Sequence, residues 1–320
     1  MNIGKAQIRG NLILAPLAGY TDRAFRQIAT EWGADCAVTE MISAEGLARD
    51  GEKTKELLCR FDGEEELIYQ IFGYSEDQFR RCLPSLLTFC PTIIDINCGC
   101  PVNKVVKTGA GSALMAHPET IYKMVRVIKE GTDTPVSVKF RLGWNQDQIN
   151  YLEFASAAVE AGADMLTMHS RTRAQGYSGK ANQDELKKLK EHFPSTIIFG
   201  SGDVLSPEDA LNIKEYTGVD GLMFARGAIG NPFIFKQTKQ LLETGSYDEI
   251  SIEERVETMK RHLSLMLYYL GERKAIVDIR KHIAGYVKGC KNSSKVKQEA
   301  MCAKSRDEYF TAFDHLLDRN

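Results

Sequence analysis

Eight short runs rich in β-branched and other apolar residues, each followed by an amphipathic stretch, repeat through the first 245 residues of this 320-residue chain. They fall at 11–18, 36–40, 68–73, 93–98, 136–141, 164–169, 196–200 and 220–225. TIIDIN and PVSVKF are near-continuous β-rich runs, as strands of a parallel sheet are when both faces are covered. Helices are expected near 22–32, 75–88, 118–130, 147–161, 183–192, 206–217 and 232–243. Ser75, Ser206 and Asn231 suit N-caps, and Pro118, Pro207 and Pro232 suit a first helical turn. Gly33, Gly131, Gly162 and Gly218 fall where helices should stop. Eight such units fit a (β/α)8 TIM barrel, an α/β fold, better than an open sheet. The longer, charged segment 41–67 is expected as an extra loop or broken helix over the barrel mouth.

Beyond Gly245 the strand-like runs stop. The stretches 252–270, 273–289 and 307–319 read as amphipathic helices, so residues 246–320 are expected to form a C-terminal all-α helical bundle after a barrel domain of residues 1–245. Charge changes at the same point. Residues 1–250 carry 27 basic and 33 acidic side chains, residues 251–320 carry 14 and 10, and within 273–306 ten basic residues meet only two acidic ones. The net charge of −2 excludes a protein coated in positive charge, so a polyanionic partner would be met by the tail. No run of about 18 apolar residues occurs and the N-terminus lacks an apolar signal segment, so a cytoplasmic protein without membrane contact is expected. The eight cysteines are irregularly spaced without a C-x-x-C, which points to reduced thiols and no metal site. No feature selects an oligomeric state, and a monomer is the default.

Ligands of such barrels meet the C-terminal ends of the strands. Strand one ends in Ala15-Pro16-Leu17-Ala18-Gly19, small residues that let backbone approach a flat ligand. Strand three offers Gln70. Strand four offers Asp95 and Asn97 on one face, strand five Ser137, Lys139 and Arg141, and strand six Thr167 and His169, followed by Arg171. Each of these suits a satisfied core polar group, but together they line successive strand ends. A lysine near the barrel axis needs an anionic or polar partner. Strands seven and eight end in Ser201-Gly202-Asp203 and Ala225-Arg226-Gly227, loops that commonly bind phosphate in this fold. Cys100, before a proline on the loop leaving strand four, suits a nucleophile, a metal ligand, a proton donor or a plain buried thiol. The glycines of Gly109-Ala110-Gly111-Ser112-Ala113 do not directly follow a strand, and the stretch reads as a flexible lid beside the cysteine loop.

Asn97-Cys98-Gly99-Cys100-Pro101, with Lys104, Lys107 and the stretch Gly109 to Leu114, resembles the signature of the tRNA-dihydrouridine synthases. The segments 14–26, 138–144, 169–179, 200–204 and 225–235 resemble the same family in the same order, and 280–289 is similar to the tail of its bacterial DusB branch. The resemblance implies an FMN-containing barrel and a helical domain that grips tRNA. It implies that NADPH reduces the flavin, that flavin N5 passes hydride to uracil C6, and that Cys100 protonates C5 as general acid. By motif, Pro16, Leu17, Ala18, Gln70, Lys139, His169, Ser201, Gly202, Asp203, Ala225 and Arg226 would hold FMN, with Lys139 at the N1/O2 edge. Asn97 and Arg171 would meet the uracil and nearby RNA. Arg280, Lys281, Lys288 and Lys291 would meet RNA phosphates, with Tyr286 stacking or packing. A uracil inside folded RNA must be extruded to reach a flavin.

Two positions depart from the family pattern. Cys98 stands where methionine is common and places a second thiol near the site. Gly285 stands where related tails often carry tryptophan, which removes a packing or stacking surface. Two rival readings remain: a free-pyrimidine flavin reductase of the dihydroorotate dehydrogenase kind, for which the basic tail has no use, and a non-catalytic RNA-binding barrel. Ribosomal RNA is an alternative substrate for the same chemistry.

Overall fold

The computed structural model describes residues 1–318. Eight parallel strands form the barrel: β1 (Leu12–Leu14), β2 (Cys36–Val38), β3 (Leu67–Phe72), β4 (Ile93–Cys98), β5 (Val136–Arg141), β6 (Met165–His169), β7 (Ile197–Ser201) and β8 (Gly221–Phe224). Each pairs with its sequence neighbours, and β8 pairs with β1 (Leu222 with Leu12, Phe224 with Leu14) to close the ring. β1 is shorter than its apolar run because residues 15–18 leave the sheet to wall a cavity.

Around the barrel lie α1 (Arg23–Glu31), α2 (Glu76–Leu87), α3 (Pro118–Gly131), α4 (Tyr151–Glu160), α5 (Gln183–His192), α6 (Pro207–Thr217) and α7 (Ile234–Thr244). The Ser206 hydroxyl accepts from the Asp209 N–H at the start of α6, and Gly218 ends that helix in the left-handed conformation. Asn231 does not cap α7, which begins at Ile234; its side chain donates to the Gly227 carbonyl at 3.1 Å, so Pro232 also precedes the helix. Segment 41–67 does break into short helices, Ala44–Ala48 and Glu52–Glu56. It flanks α2, through the Glu45–Arg81 ion pair at 2.7 Å, rather than covering the barrel mouth; among the described residues of this segment, Met41 alone lines the cavity. An N-terminal hairpin, Asn2–Ile3 with Ala6–Gln7, was not expected. Buried Ile3 and Ile8 beside it pack into a core cluster with Met165, Phe199 and Met223.

The tail holds α8 (Ile252–Leu270), α9 (Glu272–Asp278), α10 (Arg280–Tyr286), α11 (Ser293–Cys302) and α12 (Arg306–Asp314). A capping box between Ser251 and Glu254 starts α8. The single helix expected over 273–289 is interrupted at the fully buried Ile279, and α11 was not foreseen. The last expected helix, 307–319, corresponds to α12, and residue 319 lies outside the described residues. The tail's apolar core takes in Ala24, Ile28 and Phe233 of the barrel. Phe25 of α1 lies 5.6 Å from the His262 ring and 4.7 Å from the His282 ring, with both histidines buried. Burial holds both imidazoles well below the ordinary histidine range, so they are neutral. Barrel and tail therefore share one packed seam.

Candidate active site

The C-terminal ends of the strands enclose a cavity of about 270 Å³. Pro16, Leu17 and Ala18 line it after β1, Asn97 and Cys100 at β4, Lys139 on β5, His169 on β6, Ser201, Gly202 and Asp203 at β7, and Ala225 and Arg226 after β8. These residues are far apart in sequence, and the barrel brings them together.

A polar chain beneath the cavity fixes the cysteine turn. Asn97 Oδ1 accepts from the backbone N–H groups of Gly99 (3.3 Å) and Cys100 (3.0 Å), and its amide donates to Gln70 Oε1 at 2.7 Å. Gln70 Nε2 in turn donates to Asp95, whose other oxygen accepts from the Ser137 hydroxyl at 2.6 Å. Gln70 is thus fully buried beneath the residues that line the cavity, linked to them through Asn97. Both its amide groups already have protein partners. Asn97 does face the cavity, but its oxygen is committed to the turn.

Arg171 lies behind the cavity wall, between two loops. It is 1% exposed, and Nη2 donates to both Asp203 oxygens and to the Gly179 carbonyl. A guanidinium so enclosed ties the loop after β6 to the loop after β7. Arg only donates, so His169 Nε2, 3.3 Å from Arg171 Nη1, accepts and its proton sits on Nδ1. Burial, then Arg141, Lys139, Arg171 and Arg226, push the His169 pKa well down, leaving a neutral ring.

Lys139 is half-buried at the cavity wall, and its ammonium has no hydrogen-bond or ion-pair partner among the described residues. Asp95, whose charge acts on Lys139, is taken by Gln70 and Ser137. Burial, then the Arg141 guanidinium, lower Lys139 to about 8 against the opposing pull of Asp95 and Cys100. An unpartnered ammonium in a cavity calls for an electron-rich or anionic ligand. At the cavity wall Gly202 has φ +117°, and a Cβ there would stand 2.9 Å from the His169 ring and 3.0 Å from Ala181, so only glycine lets the loop after β7 close on them. The residues present therefore fit a flat ligand carrying an anionic group.

Cys100 is 8% exposed, and burial raises its thiol pKa against the pull of the Val102 N–H, Arg141 and Lys139. It is held protonated at neutral pH. Cys98 points the other way, into the layer between strands and helices, so it is not a second thiol at the site. The stretch 109–113 is not a loose lid. It enters a turn of 3-10 helix (Gly111–Ala116), Ser112 is fully buried, and the Ser112 N–H donates to the Cys100 carbonyl at 3.0 Å.

Sequence reasoning missed Tyr20, Met41, Tyr177 and Leu205 as lining residues. Tyr177 sits on a loop, 54% exposed, with the Arg226 guanidinium 4.9 Å from its ring centre. An exposed tyrosine between a histidine motif and a glycine was the available signal. Of the tail residues, Lys281 reaches the mouth, donating to the Gly19 carbonyl at 3.2 Å beside the Tyr20 ring. Arg280 instead bonds to the Tyr309 hydroxyl and the Ala303 carbonyl inside the bundle. Tyr286 is fully buried and packs rather than stacks on a ligand. Lys288 and Lys291 are exposed on the tail, away from the cavity.

Gly285 has a structural reason. A Cβ there would lie 2.0 Å from the Ile229 carbonyl oxygen, so the absent side chain lets α10 rest directly on the loop after β8.

The family model described as dihydrouridine synthase (Dus) matches residues 13–319. A probable tRNA-dihydrouridine synthase of Treponema pallidum (strain Nichols) is 40% identical over 95% of this chain and 92% of the relative. The tRNA-dihydrouridine synthase B of Shewanella oneidensis is 37% identical over 90% of this chain and 89% of the relative. Among solved structures, histamine dehydrogenase from Rhizobium sp. 4-9 superposes with a TM-score of 0.60 at 14% identity, over 83% of this chain. The chain spans about half the length of that protein, and the likeness is one of fold. Among the described residues no helix is long and apolar enough to cross a membrane.

Proposed function

The chain belongs to the dihydrouridine synthase family, and from that premise we propose that it reduces uridine in tRNA to 5,6-dihydrouridine with FMN as cofactor and NADPH as reductant. The observation that carries the reading is the unpartnered Lys139 ammonium facing the same cavity as the protonated Cys100 thiol. When bound, FMN reduced by NADPH supplies the hydride that uracil C6 receives. Lys139 would hold positive charge against the electron-rich edge of the flavin. Pro16, Leu17 and Ala18 offer backbone and small side chains to a flat ring system, and neutral His169 offers its Nδ1–H. Ser201, Gly202, Ala225 and Arg226 would hold the phosphate, with Arg226 as the fixed charge. Asp203 orients Arg226 through a 3.1 Å ion pair rather than meeting the phosphate itself.

Cys100 holds its proton and delivers it to C5 of the uracil. A thiol kept protonated by burial suits a general acid and does not suit a nucleophile, which needs the thiolate. Asn97 holds the cysteine turn and keeps one amide N–H for the pyrimidine. The uridine is extruded from its stack to enter the cavity. The tail grips the RNA backbone through Lys281 at the mouth and through Lys288 and Lys291 on its surface.

The test is to incubate the purified chain with FMN, NADPH and an unmodified tRNA transcript. Dihydrouridine formed in step with NADPH oxidation is expected. Reduction of free pyrimidine at the same rate, with tRNA untouched, would favour the free-pyrimidine reductase.

A further inference from the structure

Three main-chain segments lie on one another with no side chain between them. The uppermost is α10 of the tail. Gly285 there faces the Ile229 carbonyl oxygen and Gly230 Cα, which a Cβ would meet at 2.0 and 3.0 Å. The contact is reciprocal, because a Cβ on Gly230 would lie 1.9 Å from the His282 carbonyl oxygen. The middle segment is the loop after β8, whose first turn is fixed by the Ala228 N–H on the Ala225 carbonyl and the Asn231 N–H on the Ala228 carbonyl. It rests on the loop after β7: a Cβ on Gly227 would lie 2.3 Å from the Val204 carbonyl oxygen. The two lower segments carry Arg226 and Gly202, both at the cavity wall. On its other side α10 holds the loop after β1, through Lys281 on the Gly19 carbonyl and the His282 ring against Tyr20 at 5.7 Å.

Backbone packed on backbone has no rotamers to absorb a shift, so a displacement of α10 moves the loops beneath it. We infer that α10 is a brace that sets the anion-holding loops of the cavity, so that RNA held by the tail and FMN held by the barrel bind cooperatively. The inference rests on the proposed function for the identity of the two ligands. Gly285 and Gly230 are positioning residues in it, and neither touches a ligand. Coupling through such a contact is reciprocal: tRNA tightens FMN binding by the same factor by which FMN tightens tRNA binding.

The experiment is a fluorescence titration of the full-length apoprotein with FMN, with and without saturating tRNA, at a temperature well below unfolding. The wild type should bind FMN about fivefold or more tightly with tRNA present. Gly285→Ala should weaken FMN binding about tenfold and lose the response to tRNA while keeping its circular dichroism. A merely structural glycine would lower the melting temperature and leave FMN affinity unchanged, and that result overturns the inference. If Gly285→Ala does not fold, the wild type decides alone: equal FMN affinity with and without tRNA overturns the brace and leaves the proposed function standing. Failure of the wild type to bind FMN at all overturns both.

Discussion

Arg171 Nη2 donates to both carboxylate oxygens of Asp203, at 2.8 and 2.7 Å, and so pins the loop after β6 to the loop after β7. Burial raises the Asp203 carboxyl, but the Ala181 N–H and the Arg171 and Arg226 guanidiniums outweigh it and hold the group below the usual carboxylate range. The stabilisation is therefore full above the ordinary aspartate value and is lost as the pH falls through the lowered one. Arg171→Met should cost about 2 kcal/mol at neutral pH, the usual worth of hydrogen bonds to a charged group, since Asp203 keeps Arg226 and the Ala181 N–H as partners. Urea unfolding at pH 7 and in acid measures this, and the difference between variant and wild type should shrink in acid. A neutral-pH loss under about 0.5 kcal/mol, the level of an ordinary surface change, would show that the pair does not hold the loops.

Cys100→Ala should keep FMN and lose turnover by roughly 10²- to 10⁴-fold, the usual worth of a positioned general acid. Because burial raises the Cys100 thiol, the wild-type rate should not fall from its deprotonation as the pH approaches the ordinary thiol value. Flavin absorbance and single-turnover reduction of tRNA report the two properties separately. Unchanged turnover would remove the thiol from the chemistry.

Lys139 gives a pH dependence of opposite sense. Its free value is lowered to about 8, and an electron-rich ligand at the cavity wall raises it in the complex. The gain in ligand affinity is full below about 8 and is lost as the pH rises through the raised value. FMN affinity should thus weaken in alkali, and Lys139→Met should bind more weakly at neutral pH with a flatter profile. Equal profiles for the two proteins would place the flavin edge elsewhere.

Charge reversal of Lys288 and Lys291 to glutamate should raise the tRNA dissociation constant and flatten its dependence on salt. Removing one lysine–phosphate pairing lowers the logarithmic slope by about 0.9 for duplex nucleic acid and about 0.7 for a single strand. Binding measured between low and physiological salt reads both. An unaltered slope would move the RNA-binding face to another part of the tail.

The barrel was legible because a strand covered on both faces leaves a run such as TIIDIN, and eight such runs leave few alternatives. Residues that meet at strand ends, such as Lys139 and His169, were legible for the same reason: alternation fixes which side chains point inward. What alternation does not encode is depth. Gln70 and Asn97 both face inward, yet Gln70 lies below the cavity and Asn97 at its floor. Partner choice was equally hidden. Nothing local shows that Arg171 meets Asp203, a residue 32 positions away. Gly285 looked like a missing aromatic surface, since nothing local shows that another backbone lies 2.0 Å from its absent Cβ. Helix α11, with only Val296 and Ala300 buried, is too polar to announce itself by periodicity.

The central claim is that this chain makes dihydrouridine in tRNA, and a dihydrouridine map of total RNA from cells with and without its gene tests it most directly. The account predicts loss of the modification at one or a few tRNA positions, restored by the wild-type gene and not by Cys100→Ala. An unchanged tRNA map, or loss confined to ribosomal RNA, would contradict it.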